Sequence, residues 1–222
     1  MTASHWTDVA DQDTVLFVPV GSYEQHGPHL PLDTDTRVAA AVAASTGGLV
    51  VHPLAYGSSG EHEDFPGTIS IGEHALGALL VEFGRSACRW ARRLVFVNGH
   101  GGNVAALAGA VRLLRYEGRD VAWFACAPPG GDAHAGRTET SLLLAIAPET
   151  VDLARAEPGN TRPLAALLPA LREGRLRELS PSGVLGDPAG ATAEEGRALL
   201  GAMATGLRAA LAAWEPDDGR LA

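Results

Sequence analysis

A three-layer α/β/α sandwich with a mostly parallel sheet is the fold class that the sequence predicts. Four short runs of β-branched, aromatic and aliphatic residues are almost continuously apolar, which is typical of strands buried on both faces. Ala/Leu/Arg-rich segments of helical period fill the three gaps between them. This alternation indicates a parallel sheet with helices on both sides. A chain of 222 residues can bury one sizeable core, so we expect a single domain over residues 1–222.

The elements follow one another in a regular order. The apolar runs predict strands, in chain order, at residues 15–20, 49–52, 94–97 and 121–126. The periodic segments between them predict helices at about 36–45, 73–92 and 103–116. Each strand is therefore joined to the next by a helix, which is the connection that parallel strands need.

The pattern changes after residue 126. A Gly/Pro-rich loop leads to a helix predicted at about 139–147, which Pro148 ends. A Pro/Gly-rich stretch continues to residue 190 without a predicted element, and an amphipathic helix follows at about 192–214. We expect the final segment, EPDDGRLA, to be frayed.

Composition excludes several classes of protein. The formal net charge is −9 and there is no basic run, so a nucleic-acid partner is not expected. The two cysteines, Cys88 and Cys126, are too few and too far apart for a disulfide framework, and we expect buried thiols in a reducing compartment. The N-terminal residues lack a signal-peptide pattern, and no window approaches the roughly eighteen apolar residues of a membrane span. We therefore expect a soluble, cytoplasmic protein without a membrane partner.

The segment EQHGPHLPLDTD, directly after the first predicted strand, concentrates acids and imidazoles around glycine and proline. Glu24 and His26 lie two residues apart in an extended segment, so their side chains point to the same side. Imidazole nitrogen and carboxylate oxygen, including that of Asp35, are ligands that divalent cations prefer. The alternative is a polar surface turn in which His26 and His29 are merely solvated. So many acidic and imidazole groups in one turn favour a metal site.

Three more polar clusters follow the other predicted strands. They are GEHEDFPGT after the second strand, NGHGGN after the third and GGDAHAGRTET after the fourth. In an open α/β sheet, ligands bind at the edge where the strands' carboxyl ends lie. We therefore expect the four clusters to meet in one site.

Each of these clusters also has a plainer interpretation. His100 lies between glycines and is either a ligand or an imidazole that caps the sheet, while Asn98 and Asn103 orient its loop or cap the next helix. Glu139 falls in the first turn of its helix, where a carboxylate can simply complement the helix dipole. Glu63 and Phe65 suit a wall that faces substrate, although such charged runs are commonly solvated.

The chemistry that fits these groups is metal-assisted hydrolysis. No GxSxG motif is present and neither cysteine has an obvious base beside it, so a covalent nucleophile is not indicated. Water is then the nucleophile, and a bound metal ion lowers the pKa of coordinated water to about 7 and polarises a carbonyl group. Two ions that share one carboxylate would perform both tasks.

Four ordered motifs resemble the creatininase family of metal-dependent amidohydrolases across nearly the whole chain: VPVGSYEQHGPHLPLDTD, HEDFPGTIS, VNGHGGN and HAGRTETS. The resemblance implies the α/β/α sandwich and a closed homo-oligomer. It also implies that Glu24, Asp35 and His100 hold one metal ion, and that His26 and a bridging Asp35 hold a second. Zn, Fe(II) and Mn all accept such mixed ligands, so we expect two ions per subunit of one of these kinds.

Two departures from creatininase bear on the substrate. Creatininase has a glutamate ligand two residues beyond its NGH histidine, where this chain has Gly102, and Glu139 is the predicted replacement. Creatininase also has a tryptophan and a glutamate shortly before the histidine that matches His134, where this chain reads PPGGDA. Gly130 and Gly131 would leave room there for a larger, peptide-like substrate. His134 itself is predicted to carry the proton to the leaving amine.

Three further segments most resemble a peptidase branch of the family: AYGSSGEH, PGGDAHAGRTETSLLLA and SPSGVLGDPAGATAEEG. That resemblance implies a modified peptide substrate from which a crosslinked C-terminal Val-Tyr unit is released. The alternatives are a small-molecule amidohydrolase or deformylase on the same scaffold, and a non-catalytic binding subunit whose metals only order its loops. A catalytic metal site keeps an open coordination position, whereas a structural one is closed.

Overall fold

A parallel sheet forms the centre of the computed structural model, which describes residues 5–9 and 14–222. The strands are β1 (Val15–Val20), β2 (Leu49–Val50), β3 (Arg93–Asn98), β4 (Val121–Ala125) and β5 (Arg220–Leu221). The helices are α1 (Thr34–Ala44), α2 (Gly72–Ala87), α3 (Val104–Tyr116), α4 (Arg137–Ile146), α5 (Leu164–Arg172), α6 (Leu176–Leu179) and α7 (Ala193–Ala213). The sheet order is β2-β1-β3-β4-β5, and all neighbouring strands run parallel.

Helices cover both faces of this sheet. Leu94 and Phe96 of β3 pack in a cluster with buried side chains of α2 and α3, whereas Val95 and Val97 pack in another with those of α1, α4 and α7. Successive side chains of a strand point to opposite faces, so β1, β3 and β4 each supply both clusters. The sheet is the middle layer of three, which confirms the predicted sandwich.

The strand order creates a switch point between β1 and β3. The chain leaves β1 through α1 on one face to reach β2, and it returns through α2 on the opposite face to reach β3 on the other side of β1. The loops that follow β1 and β3 therefore diverge to opposite faces and leave a crevice, where ligands bind in folds of this type. Two of the predicted polar clusters lie in these loops.

Most predicted boundaries are close, and β2 is shorter than predicted. It ends at Val50 rather than at His52, yet the chain continues beside β1 through single hydrogen bonds, from Val51 N to Phe17 O (3.1 Å) and from Leu54 N to Pro19 O (2.9 Å). Pro53 interrupts the run and supplies no N–H group for a regular ladder. Helix α2 ends at Ala87, before the predicted end at residue 92.

The prediction of a frayed C-terminal segment is wrong, because that segment forms the edge strand β5. Leu221 is buried in the core beside β4, and the Arg220 guanidinium lies 5.4 Å from the centre of the Trp123 ring. Asp218, in the turn before β5, accepts two hydrogen bonds from Arg112, at 3.1 and 2.8 Å. Such contacts to residues distant in sequence order a segment that has little structural preference of its own.

The stretch from residue 148 to residue 190 contains two helices, α5 and α6, which the sequence pattern did not predict. Pro163 directly precedes α5 and Pro169 lies inside it, and proline usually indicates a break in a helix. The two helices are held by a third, small apolar cluster, in which Leu167 of α5 and Leu176 of α6 are fully buried. Phe65, from the loop after β2, packs against this cluster.

The long helix α7 packs against α4 and the sheet. Met203 and Leu207 on its apolar face are buried in the core beside Leu142 and Leu143 of α4. This apolar face is therefore covered within the chain. Among the described residues, every helix is too short or too polar to cross a bilayer.

Candidate metal centre

Two glycines bring the loops after β1 and β3 against the first turn of α1. A Cβ atom on Gly21 would lie 2.2 Å from Thr36 Oγ1, and one on Gly99 would lie 2.3 Å from the backbone oxygen of Asp35. Larger residues would not fit at either position. This close approach places the Asp35 side chain beside His100 of the second loop, with 3.3 Å between Asp35 Oδ2 and His100 Nδ1.

Two sets of donor atoms share Asp35. One set consists of Glu24, Asp35 and His100, and the other consists of His26, Asp35 and Glu139. Within each set the donor atoms lie within 4.8 Å of one another. Asp35 Oδ2 faces His100, whereas its Oδ1 lies 3.2 Å from His26 Nε2. His100 Nδ1 is also 3.2 Å from Glu24 Oε1, and Glu139 Oε2 is 3.8 Å from His26 Nε2. One carboxylate thus offers a different oxygen to each set, which is the geometry of a bridging ligand.

The charges at this centre fit a cation. Glu24 is fully buried, and neither of its carboxylate oxygens has a hydrogen-bond partner among the described residues; Asp35 Oδ2 also lacks one. A buried carboxylate without donors is costly unless it is paired with positive charge or coordinates a metal. A divalent ion between these oxygens and the imidazoles would satisfy both carboxylates.

The acids and imidazoles of the cluster shift one another's pKa values. Burial by itself raises the pKa of Glu24, but the facing imidazoles, with His100 the strongest, hold it well below its ordinary value. Burial also opposes a charged His26, yet the carboxylates of Asp35 and Glu139 outweigh it and raise the pKa of His26 to about 10. The acids that hold a proton on an imidazole would equally hold a metal ion, whose binding must release that proton.

The backbone before α4 positions Glu139. Ala135 adopts a left-handed conformation with φ of 51°, which is unfavourable for a residue other than glycine, and its N–H donates to Glu139 Oε2 at 2.5 Å. Asp132 caps the helix by accepting hydrogen bonds from the N–H groups of Arg137 and Thr138. Burial raises the pKa of Glu139. A strained residue beside an acid of the cluster is typical of a functional site.

His134 lies beside the same cluster in a buried position. Its Nε2 lies 2.7 Å from the backbone oxygen of Gln25, and its Nδ1 lies 3.7 Å from Glu24 Oε1. The His134 ring is 4.3 Å from the His26 ring, between centres. Burial, with positive charge on His26 as a further cause, lowers the pKa of His134 well below its ordinary value, so its imidazole is neutral near pH 7.

The asparagines of the NGHGGN motif fix the loop that carries His100. Asn98 Nδ2 donates to the backbone oxygen of His100 at 2.7 Å, and Asn103 Nδ2 donates to the backbone oxygen of Gly21 at 2.9 Å. Asn103 Oδ1 accepts from Ser58 N at 2.9 Å. The Asn103 side chain therefore ties together the loops after β1, β2 and β3, and it does not cap α3.

In the loop after β2, the structure places different residues at the site from those the sequence favoured. Glu63 is exposed and Phe65 packs on the cluster beneath α5 and α6, with the Arg177 guanidinium 5.7 Å from its ring centre, so neither lines the crevice. A short 3₁₀ turn instead directs Glu61 and His62 inwards. A weak signal for Glu61 and His62 was present in the sequence, since this acid–imidazole pair directly precedes Glu63 in the same loop.

His62 is buried, with Nε2 3.3 Å from Glu24 Oε1, and burial lowers the pKa of His62 to about 4. Glu61 Oε1 lies 3.6 Å from His100 Nε2 and would be 2.9 Å from a Cβ atom at position 102. The space that a side chain at position 102 would need is therefore already filled, because the loop that carries Glu61 occupies it. Glu61 is a second acid, besides Glu139, near the place of the missing glutamate.

A cavity of about 1160 Å³ opens from the centre towards α5. Its inner wall includes Asp35, His62, His100, His134 and Glu139, and its outer wall includes Leu164, Leu168 and Arg162. Gly131 lines this cavity, whereas the exposed Gly130 does not, and a substrate contact at Gly131 stays a prediction. His29, which is hydrogen-bonded to Thr140 Oγ1 at 2.9 Å, is buried behind the site.

The chain is similar to several known proteins. A family model described as creatininase, creatinine amidohydrolase, matches residues 1–211. The mycofactocin precursor peptide peptidase of Mycolicibacterium smegmatis is 56% identical over 217 residues, which cover 93% of this chain and 88% of that protein. The creatinine amidohydrolase of Pseudomonas putida is 37% identical over 181 residues, covering 66% and 70%. A solved manganese form of creatininase superposes with a TM-score of 0.77 at 31% identity, covering 96% of this chain and 97% of the other.

Proposed function

The chain belongs to the creatininase family and is a hydrolase, and from this premise we propose that it is a divalent-metal-dependent peptidase that cleaves a modified peptide. The observation that carries the proposal is the pair of donor sets that share Asp35, beside a buried Glu24 whose oxygens find no hydrogen-bond partner in the described part of the chain. Zn, Fe(II) and Mn all suit such a mixture of imidazole and carboxylate.

The residues that would hold the ions are those of the two sets. Glu24, Asp35 and His100 would hold one, and His26, Asp35 and Glu139 the other. When bound, such ions supply an activated water molecule and polarise the scissile carbonyl group. Asp35, through its two oxygens, would keep the two positions adjacent.

His134 supplies the proton transfer in this proposal. Its Nε2 carries a proton because the backbone oxygen of Gln25 can only accept, so the lone pair of the neutral ring lies at Nδ1, on the side of Glu24. Nδ1 accepts the proton of the attacking water, and the resulting imidazolium delivers it to the nitrogen of the leaving amine. Burial excludes bulk water from this transfer.

The cavity supports a peptide substrate rather than a small cyclic amide. Its volume of about 1160 Å³ exceeds the roughly 300–1,000 Å³ of typical small-molecule pockets. Leu164 and Leu168 are exposed apolar side chains on its outer wall, and Arg162 adds a positive charge there. These groups suit apolar side chains and the terminal carboxylate of a peptide. Together with the similarity to mycofactocin precursor peptide peptidases, they favour release of the crosslinked C-terminal Val-Tyr unit.

Mass spectrometry of the products tests this function. Protein loaded in turn with Zn, Fe(II) or Mn is incubated with the modified precursor peptide, with the unmodified peptide and with creatinine. We expect the Val-Tyr unit to be released from the modified peptide, activity to disappear on chelation and to return with added metal. An intact modified peptide beside rapid creatinine turnover would instead indicate a small-molecule amidohydrolase, and metal binding without any turnover would indicate a binding subunit.

Glu139→Gln should lower the metal content of the protein. The substitution keeps the size of the side chain and the start of α4 but removes the charge that faces His26 at 3.8 Å. We expect elemental analysis to show about one ion fewer per chain, since one donor set loses its second carboxylate. Glu195→Gln is the control, because Glu195 is bound to Arg137 and Ser141, outside both donor sets. An unchanged ratio of metal to protein with normal turnover would mean that Glu139 only complements the dipole of α4.

The homo-oligomer that the resemblance implies stays a prediction. The described surface offers large exposed apolar side chains on α2, the turn after it and α3: Leu79, Trp90, Leu113 and Tyr116. Sedimentation at micromolar concentration measures the state directly.

A further inference from the structure

The side chain of Gln25 has an unambiguous orientation. Its Oε1 accepts a hydrogen bond from the N–H of Gly27 at 2.9 Å, and its Nε2 lies 3.3 Å from the backbone oxygen of Gly183, which can only accept. The oxygen of the amide thus faces a donor and its nitrogen faces an acceptor, so the two ends cannot be exchanged. The Nε2 end therefore faces the imidazoles.

This orientation determines which nitrogen of His62 carries the proton. Gln25 Nε2 lies 2.8 Å from His62 Nδ1 and can only donate, so Nδ1 is the acceptor and the proton of the neutral ring is at Nε2. His62 Nε2–H lies 3.3 Å from Glu24 Oε1, at the wall of the cavity. A neutral His62 in this tautomer has no lone pair at Nε2 and cannot bind a metal ion there.

Gln25 also fixes the tautomer of His134, but this ring turns a lone pair rather than an N–H group towards Glu24. The backbone oxygen of Gln25 accepts from His134 Nε2 at 2.7 Å, which leaves the lone pair at Nδ1. The contact of 3.1 Å between Gln25 Nε2 and His134 Nε2 joins two donors and is not a hydrogen bond. Around Glu24, one imidazole thus presents a lone pair and the other presents an N–H group.

We propose that His62 is a further catalytic residue, whose fixed Nε2–H donates a hydrogen bond to the carbonyl oxygen of the scissile amide as that oxygen gains negative charge, and that Gln25 is the positioning residue that fixes this tautomer. The inference rests on the proposed hydrolysis. No covalent bond to His62 forms or breaks, because His134 carries the proton. A buried, pre-oriented donor acts strongly in a site from which water is excluded.

The tautomers can be observed without any turnover. In protein labelled with ¹⁵N-histidine, two-bond ¹H–¹⁵N correlations show which ring nitrogen carries the proton, in metal-free and in zinc-loaded samples. His62→Gln and His134→Gln each remove one set of signals and so assign them. We expect the proton at Nε2 in both rings. A proton at Nδ1 of His62 in the unaltered protein would overturn the proposal.

Gln25→Glu should invert the tautomer of His62 alone. A carboxylate accepts from Nδ1–H, so the His62 proton should move to Nδ1, while His134 should keep its tautomer because it binds the backbone oxygen. This second ring is an internal control for the fold. An unmoved His62 proton would refute the positioning role of Gln25.

Kinetics then test the catalytic role. His62→Leu should lower kcat on the modified peptide by about 10²–10³-fold, with KM changed only a few-fold and metal content unchanged, as for loss of one oxyanion donor. His62→Gln, which keeps an N–H donor, should retain more activity, and His74→Gln, on the exposed surface of α2, is the control. Loss of metal from His62→Leu would make His62 a ligand, and normal kcat would exclude it from catalysis. If the unaltered protein does not cleave the peptide, the proposed function fails, whereas the tautomer result stands separately.

Discussion

Asp35→Asn should remove both metal ions and abolish peptide cleavage, because one carboxylate serves both donor sets. Its Oδ2 faces His100 at 3.3 Å and its Oδ1 faces His26 at 3.2 Å. An amide keeps the shape of the side chain but offers a single neutral oxygen, which cannot bridge two cations. We expect elemental analysis to fall from about two ions per chain towards zero, with turnover at the uncatalysed background.

Asp33→Asn is the matched control for this experiment. Asp33 stands two residues earlier in the same loop, is half-buried, and accepts a hydrogen bond from Arg37 Nε at 2.7 Å. Its substitution makes the same change of charge without touching either donor set, so metal content and turnover should stay normal. Retention of both ions by Asp35→Asn would contradict the bridging role, and retention of one would assign Asp35 to a single ion.

His134→Ala should lower turnover by about 10²–10⁴-fold, which is the usual effect of losing a general acid or base. The neutral His134 ring presents its lone pair 3.7 Å from Glu24 Oε1 and so lies where a proton can be taken from water near the carboxylates. We expect the metal content to stay normal and KM to change little, because the proposed role of the ring is proton transfer rather than binding of the peptide.

A competing assignment makes this experiment informative. Donor atoms of Glu24, His26 and His134 also lie within 4.8 Å of one another, so His134 has the geometry of a ligand as well. Elemental analysis separates the two roles: loss of one ion from His134→Ala would assign His134 to metal binding. His52→Ala, which removes an exposed imidazole just after β2, should leave metal content and rate unchanged.

The sequence by itself determined the architecture and the position of the site. Apolar runs and helical periodicity are local properties, so β1 was predicted with its observed ends, and α1, α3, α4 and α7 within about two residues. The site followed because the carboxyl ends of parallel strands lie at one edge, whatever the details of packing. The acids and histidines after β1, β3 and β4 were therefore expected together, and the structure brings them together.

Contacts between distant residues decided the rest. Phe65 packs against the third apolar cluster, whereas His62, three residues earlier, faces Glu24. The sequence does not distinguish these two orientations, because loop residues carry no periodicity that separates inside from outside. The edge strand β5 likewise exists through its pairing with β4. The tautomers of the two imidazoles depend on one residue, Gln25, whose side-chain amide contacts His62, 37 residues away along the chain, and whose backbone oxygen contacts His134, 109 residues away. Such relations are set by three-dimensional packing, because a hydrogen bond depends on distance and direction and no local pattern encodes either.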